Sequence, residues 1–190
     1  NPGETFSYNE TLGPRTAEKG YKPAGAYVGG EVVQEIGGGI CQVSSTLYCS
    51  VLYADLEVVE RSNHMFTVGY LPLGNDATVN WGTVDFKFKN NTEYPIKIEA
   101  VMEGAYLTVK LHGTKTNTNY IDVQYVVIST TPFETTEKED ASVAPGTTVE
   151  KSSGHTGYVV DTYRYLYDEN DNLIEKTFID RSPYRAQNKV

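Results

Sequence analysis

The strongest periodicity in the chain begins at Ile40. Ile40, Val43, Leu47, Val51 and Ala54 fall three or four positions apart, and Tyr48 and Leu52 widen the stripe. That spacing predicts an amphipathic helix over about 40–54. Elsewhere the pattern is shorter and alternates. Val84-Asp85-Phe86-Lys87-Phe88-Lys89 alternates strictly and predicts a half-buried strand. Asn90-Asn91 turns it, Tyr94 to Ala100 returns, and Gly104 leads into Tyr106 to Leu111, so these three strands read as a meander. Tyr27-Val28 and Val32-Val33 predict strands around Gly29-Gly30. Leu56 to Glu60 predicts a strand after the helix, and Val68 to Leu71 another, with His64 at its start. Ala77 to Trp81 alternates weakly, and residues 1–30 read as turns between short extended pieces.

Past Gly113 the register changes. Tyr120 to Ile128 predicts a bridging strand, and the acidic run Glu134 to Asp140 reads as solvated. From Thr147 onward the pattern is strand and turn, with a long strand over Tyr158 to Tyr167 and a hairpin turn at Asp168 to Asn172. The expected fold is α+β: one main helix packed on a mainly antiparallel sheet over 1–114, a connecting strand or linker over 115–131, and a small all-β module over 132–190.

Composition narrows the function classes. The 190 residues hold one large domain or two small ones, and 15 tyrosines suit a strand-rich folded chain. The net charge is −9, both halves are acidic, and no basic stripe occurs. That excludes nucleic acid and anionic lipid as natural partners. No run approaches about 18 apolar residues, so no membrane span is predicted, and no signal-peptide pattern is seen. A chain opening Asn1-Pro2-Gly3 reads as a mature piece or fragment, with any membrane attachment through an N-terminal anchor outside it.

The chemistry centres on Gly37-Gly38-Gly39-Ile40-Cys41. Glycines visit positive φ freely and leave room for a ligand. A Cys directly after them falls in the first helical turn, where unpaired N–H groups and the helix dipole favour an anion. That setting lowers a thiol's pKa and makes a nucleophile. The other reading is a small buried apolar group, the ordinary role of a helix cysteine. It is the reading for Cys49, and both remain open for Cys41. On one helix at about 1.5 Å rise per residue the two sulfurs sit roughly 12 Å apart, too far for a disulfide.

His64 follows the helix by one strand, and a Cys at a helix start with a His beyond it is the pair of thiol acyl-transfer enzymes. A structural, hydrogen-bonded imidazole is the alternative. A carboxylate would orient the ring, and Asp76 and Asp85 are both candidates, with Asn63 a lesser one. His112 and His155 read as structural. No Walker loop follows the glycines, and Cys41, His64 and a carboxylate lack the short ligand spacings of zinc sites. No cofactor and no metal are expected.

Asn1-Pro2-Gly3-Glu4-Thr5-Phe6-Ser7, the Gly37 to Ser44 run, Glu60-Arg61 with His64, Gly74 with Asp76-Ala77-Thr78-Val79, and Asp85 through Lys89-Asn90-Asn91-Thr92 resemble the VanW family over about residues 1–114. The resemblance implies a Gram-positive cell-envelope setting and a link to B-type vancomycin resistance; it supplies no reaction. Pro145-Gly146, Gly154 and Gly157 resemble a G5 module, which implies binding of N-acetylglucosamine polymers. Two functions are therefore expected as alternatives. One is a thiol enzyme, an amide hydrolase or transpeptidase acting on peptidoglycan stem peptides at the extracellular face of the envelope. The other is a non-catalytic peptidoglycan- or glycan-binding module, with a structural spacer as a blander third option.

Overall fold

In the computed structural model the described residues are 1–28 and 31–190, so Gly29-Gly30, around which two strands were expected, lies outside them. The chain is mostly β, arranged in several small antiparallel sheets around one long helix. β1 (Thr5–Ser7), β4 (Glu57–Glu60) and β5 (Lys87–Lys89) form a three-stranded sheet in the order β1-β5-β4. β2 (Pro23–Val28) pairs β3 (Glu31–Ile36), and β6 (Lys97–Glu103) pairs β7 (Tyr106–His112). β8 (Tyr120–Thr131), β9 (Gly157–Tyr167) and β10 (Leu173–Tyr184) form the C-terminal sheet in the order β10-β9-β8. A short helix, α1 (Tyr8–Leu12), follows β1 and is capped by the Ser7 side chain.

The long helix α2 spans Ile40–Tyr53. Its stripe is buried as the periodicity requires: Leu47, Tyr48, Val51 and Leu52 pack with Tyr8, Ala77, Phe86 and Phe88 into one core. Tyr48 and Phe86 meet edge to face at 5.6 Å, a favoured aromatic geometry. The helix starts after Gly37 and Gly39, both at positive φ. Gly38 is fixed for another reason: a Cβ there would come within 2.2 Å of the Ala24 carbonyl oxygen on β2. The glycine run thus packs the helix start against a neighbouring strand.

Several expected elements change. The single sheet under the helix is instead three small sheets in the first 112 residues. Only Lys87–Lys89 of the strictly alternating Val84–Lys89 is strand. Val84 bridges Asn80 instead, and the N–H of Phe86 is taken by the Asp85 side chain. No regular element follows Glu60 until Lys87, so His64 sits in an irregular segment and not at a strand start. Tyr120–Thr131, expected in a connector, is the outer strand of the C-terminal sheet and pairs β9 from end to end. Among the described residues no helix is long and apolar enough to cross a membrane.

Candidate functional site

The irregular segment 61–86 carries the site, and α2 holds it in place. Ser44 and Ser45, both buried on α2, donate to the Ala77 carbonyl at 2.6 and 3.2 Å, and the Ala77 N–H donates back to Ser45 Oγ at 3.0 Å. The Thr78 N–H donates to the Ser62 carbonyl at 2.8 Å. These bonds lay residues 76–79 along the first turns of α2. Cys41 Sγ consequently lies 3.4 Å from the Val79 carbonyl oxygen and 3.7 Å from Thr78 Oγ1.

Asp76 is fully buried, and its carboxylate is occupied on both oxygens. Oδ2 accepts from the His64 backbone N–H at 2.7 Å and from His64 Nδ1 at 2.6 Å. With Nδ1 committed to Asp76, Nε2 is the nitrogen left for the thiol, and the imidazole interacts with Cys41 as well as with Asp76. Oδ1 accepts from Arg61 Nη2 at 3.2 Å and from the Tyr184 hydroxyl. His64 is thus bonded to the Asp76 carboxylate and acts electrostatically on the Cys41 thiol.

Burial opposes charge at all three positions, and the neighbours overcome it. Burial alone would raise the Cys41 thiol, but His64, with smaller help from the Val79 backbone and the Thr78 hydroxyl, brings it below its ordinary value. Burial would lower His64, but its bond to Asp76 and its contact with Cys41 raise it to about 9. Burial would raise Asp76, but His64, the Arg61 charge and Tyr184 hold it below the usual carboxylate range. The set therefore shifts the pair toward thiolate and imidazolium relative to the isolated groups.

Cys49 behaves oppositely. Burial pushes its thiol up to about 11, and Sγ rests 3.3 Å from the Asn75 carbonyl oxygen. The two thiols of one helix are free and chemically unlike.

Asp85 is not part of the constellation. Its Oδ2 accepts from Ser7 Oγ at 2.6 Å, and its Oδ1 accepts from the N–H groups of Asn9 and Phe86 at 2.9 and 2.8 Å. It ties the start of α1 to the strand it precedes. Asp85→Asn should cost about 1–3 kcal/mol in chemical denaturation, because buried donors lose a charged acceptor. The same variant should leave the Cys41 alkylation rate unchanged; a changed rate would mean Asp85 does reach the thiol. Asn63 Nδ2 donates to the His64 and Pro183 carbonyls, both at 2.8 Å. His112 bonds Glu99 at 2.5 Å on β6, and His155 stacks on Phe66 at 5.2 Å. A cleft of about 360 Å³ is lined by Phe6, Glu10, Phe88, Ile96 and Ile98 among others, and neither Cys41 nor His64 lines it.

Residue patterns alone miss two participants. Arg61 has its side chain 2% exposed, donates from Nε to the Asp76 carbonyl at 2.7 Å, and lies 5.0 Å from the Tyr48 ring. Its Nη1 crosses to the C-terminal sheet, reaching Asp180 at 3.0 Å and Ser182 at 2.7 Å. Tyr184, on β10, donates to Asp76 and accepts the Gly74 N–H at 2.8 Å. Gly74 has φ +80, and a Cβ there would strike Thr162 Oγ1 at 2.1 Å. The only forward signal was Glu60-Arg61 as a fixed neighbour of His64; nothing in sequence separation of over 100 positions points to Tyr184.

Residues 1–112 match the family model described as VanW like protein. The chain belongs to the VanW family. Residues 122–190 match the G5 domain, so β8 falls inside the second unit. The chain is 48% identical over 113 residues, 60% of its length, to "Uncharacterized protein YoaR" of Bacillus subtilis (strain 168), of which it covers 37%. It is 28% identical over 156 residues, 77% of its length, to "Vancomycin B-type resistance protein VanW" of Enterococcus faecalis (strain ATCC 700802 / V583), of which it covers 57%. The chain thus spans less than two thirds of either curated relative. No solved structure matches it.

Proposed function

We propose that this protein works at the outer face of a bacterial cell envelope as a thiol acyl-transfer enzyme on peptide or amide bonds of peptidoglycan. One observation carries the reading: His64, hydrogen-bonded to the buried Asp76 carboxylate, also acts on the Cys41 thiol at the first turn of α2. In the reaction the Cys41 thiolate attacks the substrate carbonyl. The Cys41 N–H has no backbone acceptor among the described residues, and it holds the oxyanion as the tetrahedral species forms. Collapse breaks the C–N bond, and the imidazolium of His64 gives its proton to the departing amine. A thioester remains on Cys41. Water or a second amine then attacks it, His64 takes that nucleophile's proton, and the Cys41 thiolate leaves, restoring the thiolate–imidazolium pair. Asp76 keeps Nδ1 protonated and aimed throughout. The name of the Enterococcus relative supports a link to vancomycin resistance, and the G5 match supports a wall glycan as partner.

The test is mass spectrometry of peptides after a limiting thiol reagent, together with muropeptide analysis after incubation with purified peptidoglycan. Cys41 should label faster than in the denatured chain, and the native protein should change the muropeptide pattern while Cys41→Ala does not. Equal labelling in native and denatured chains sinks the reading.

One observation favours the binding alternative. Tyr120, Tyr163, Tyr165 and Tyr167 share a face of the C-terminal sheet with Phe178, and Lys176 lies 4.3 and 5.1 Å from the rings of Tyr163 and Tyr165. Such a stripe stacks on sugar rings. Tyr165→Ala should weaken sedimentation of the protein with insoluble peptidoglycan several-fold if this face carries the affinity, and Cys41→Ala should leave sedimentation unchanged.

A further inference from the structure

Among the described residues of the first half, Arg15 is the charged side chain whose nitrogens are buried without a hydrogen-bond partner. Nε, Nη1 and Nη2 are all withdrawn from solvent, and none has a hydrogen-bond partner among the described residues. Its neighbours are rings: Tyr8 at 5.7 Å and Trp81 at 6.0 Å from the guanidinium carbon. Rings offset part of the cost of burying a cation but satisfy none of its five donors. A buried charge without an acceptor is costly, and a fold keeps one where an anion arrives.

Its position says which anion. The backbone of Gly37 closes on the Arg15 side chain so tightly that a Cβ there would come within 2.8 Å of Arg15 Cβ. The Tyr8 hydroxyl donates to the Ile40 carbonyl at 3.2 Å, one residue before Cys41. Burial pushes the Tyr8 hydroxyl up, and the charges of both Arg15 and Cys41 are felt there. So one tyrosine ring separates the guanidinium from the first turn of α2. That span is a few extended residues at about 3.5 Å each. Trp81, the second ring beside the guanidinium, is half exposed.

We infer that Arg15 is a specificity-determining residue that receives a carboxylate of the acyl substrate, a few residues from the bond Cys41 attacks. The inference rests on the thiol-enzyme reading and adds the substrate class: a peptide with a free carboxylate close to the scissile bond. The guanidinium fork matches a carboxylate in two parallel bonds.

The probe is a maleimide bearing a terminal carboxylate on a short alkyl spacer, set against its methyl ester. The thiolate adds across the double bond, and the resulting carbanion takes a proton from solvent. Rates at Cys41 are read by mass spectrometry in about 0.15 M salt, where exposed charges are largely screened. The acid-to-ester rate ratio, divided by the same ratio in the denatured chain, should be about 10 for the native protein, the worth of one charged hydrogen-bonded pair. In Arg15→Met it should fall to about 1, with the ester rate kept and the melting temperature equal or higher, since an unpaired charge has been removed. A ratio of about 1 in the native protein, or a ratio unchanged in Arg15→Met, overturns the inference while the ester rate still exceeds the denatured control. A melting temperature lowered with the ratio unchanged assigns Arg15 to ring packing alone. If the ester itself reacts no faster than in the denatured chain, the thiol-enzyme reading is what fails. If Arg15→Met does not fold, the native-to-denatured ratio still decides.

Discussion

His64→Ala should slow Cys41 alkylation at pH 7 by about 10- to 100-fold and lower any peptidoglycan turnover by about 10³-fold or more. The two figures differ because they measure different things. Alkylation reads only the thiolate fraction. Without the imidazole, burial is unopposed at Cys41 except by Val79 and Thr78, and the thiol returns to or above its ordinary range. Turnover loses in addition the proton transfer to the leaving amine. The native pH profile should be flat from the Cys41 pKa up to near 9, where His64 gives up its proton. Above that the rate of acylation should fall while alkylation stays high, because the thiolate persists without its acid. In His64→Ala the alkylation rate should instead rise tenfold per pH unit through neutrality, as for an ordinary thiol. An identical profile in both proteins would show that the imidazole does not control the sulfur.

The same shifts give stability a sign. The folded pKa of His64 is raised, so its contribution is present below about 6.5 and is lost as pH rises from there through about 9. Asp76 is lowered, so its contribution is present above the ordinary carboxylate value and is lost as pH falls through its folded value. Cys41 is lowered too, so its contribution grows as pH rises toward the ordinary thiol value and offsets the His64 loss there; the clear fall in melting temperature should lie on the acid side. Asp76→Asn should remove the acid limb and leave a flatter curve.

How much of this can be read from residues alone depends on range. The helix was legible because six of its seven apolar positions serve one core, Ala54 alone falling beyond its end, and the glycines before Cys41 mark where it starts. Cys41 and His64 were singled out for the same reason, as chemistry placed just after a landmark. The choice between Asp76 and Asp85 was not. Alternation along Val84–Lys89 made Asp85 look like a strand residue aimed to one side. In the fold Phe86 and Phe88 are buried as the alternation says, but Asp85 spends its carboxylate on Ser7 and Asn9, residues more than 70 positions away. Alternation records burial; it does not record pairing, and a side chain that takes backbone N–H groups ends a ladder locally. Asp76 was obscured by its neighbours, since Pro-Leu-Gly-Asn-Asp is turn chemistry and α2 supplies the serines that make this turn rigid. Tyr120–Thr131 was misplaced as a connector because its partner β9 begins 26 residues after it ends, across an acidic, irregular stretch.

Arg61→Met should destabilise the protein by about 3–5 kcal/mol, or about 10 °C in melting temperature for a chain of this size. Arg61 faces two carboxylates: Asp76, buried, and Asp180, on the C-terminal sheet. Methionine fills most of the volume but leaves Asp76 with a buried charge and the Gly74 and Asp76 carbonyls without a donor. The double variant Arg61→Met with Asp76→Asn should recover part of that loss, because the uncompensated charge goes with the carboxylate; two losses that simply add would mean the pair is not coupled. Tyr184→Phe should cost less, about 1–2 kcal/mol, since it removes one hydroxyl and leaves Asp76 its arginine. The larger consequence of Arg61→Met is spatial. Arg61 and Tyr184 are the points at which residues of the C-terminal sheet reach the carboxylate that aims His64. Loosening them should unfasten the two units, which limited proteolysis between 112 and 122 would read as faster cleavage. Cys41 alkylation should slow in parallel, because the carboxylate that orders the imidazole is held from both sides of that junction. Faster proteolysis with an unchanged thiol would show that the VanW unit aims His64 without its neighbour.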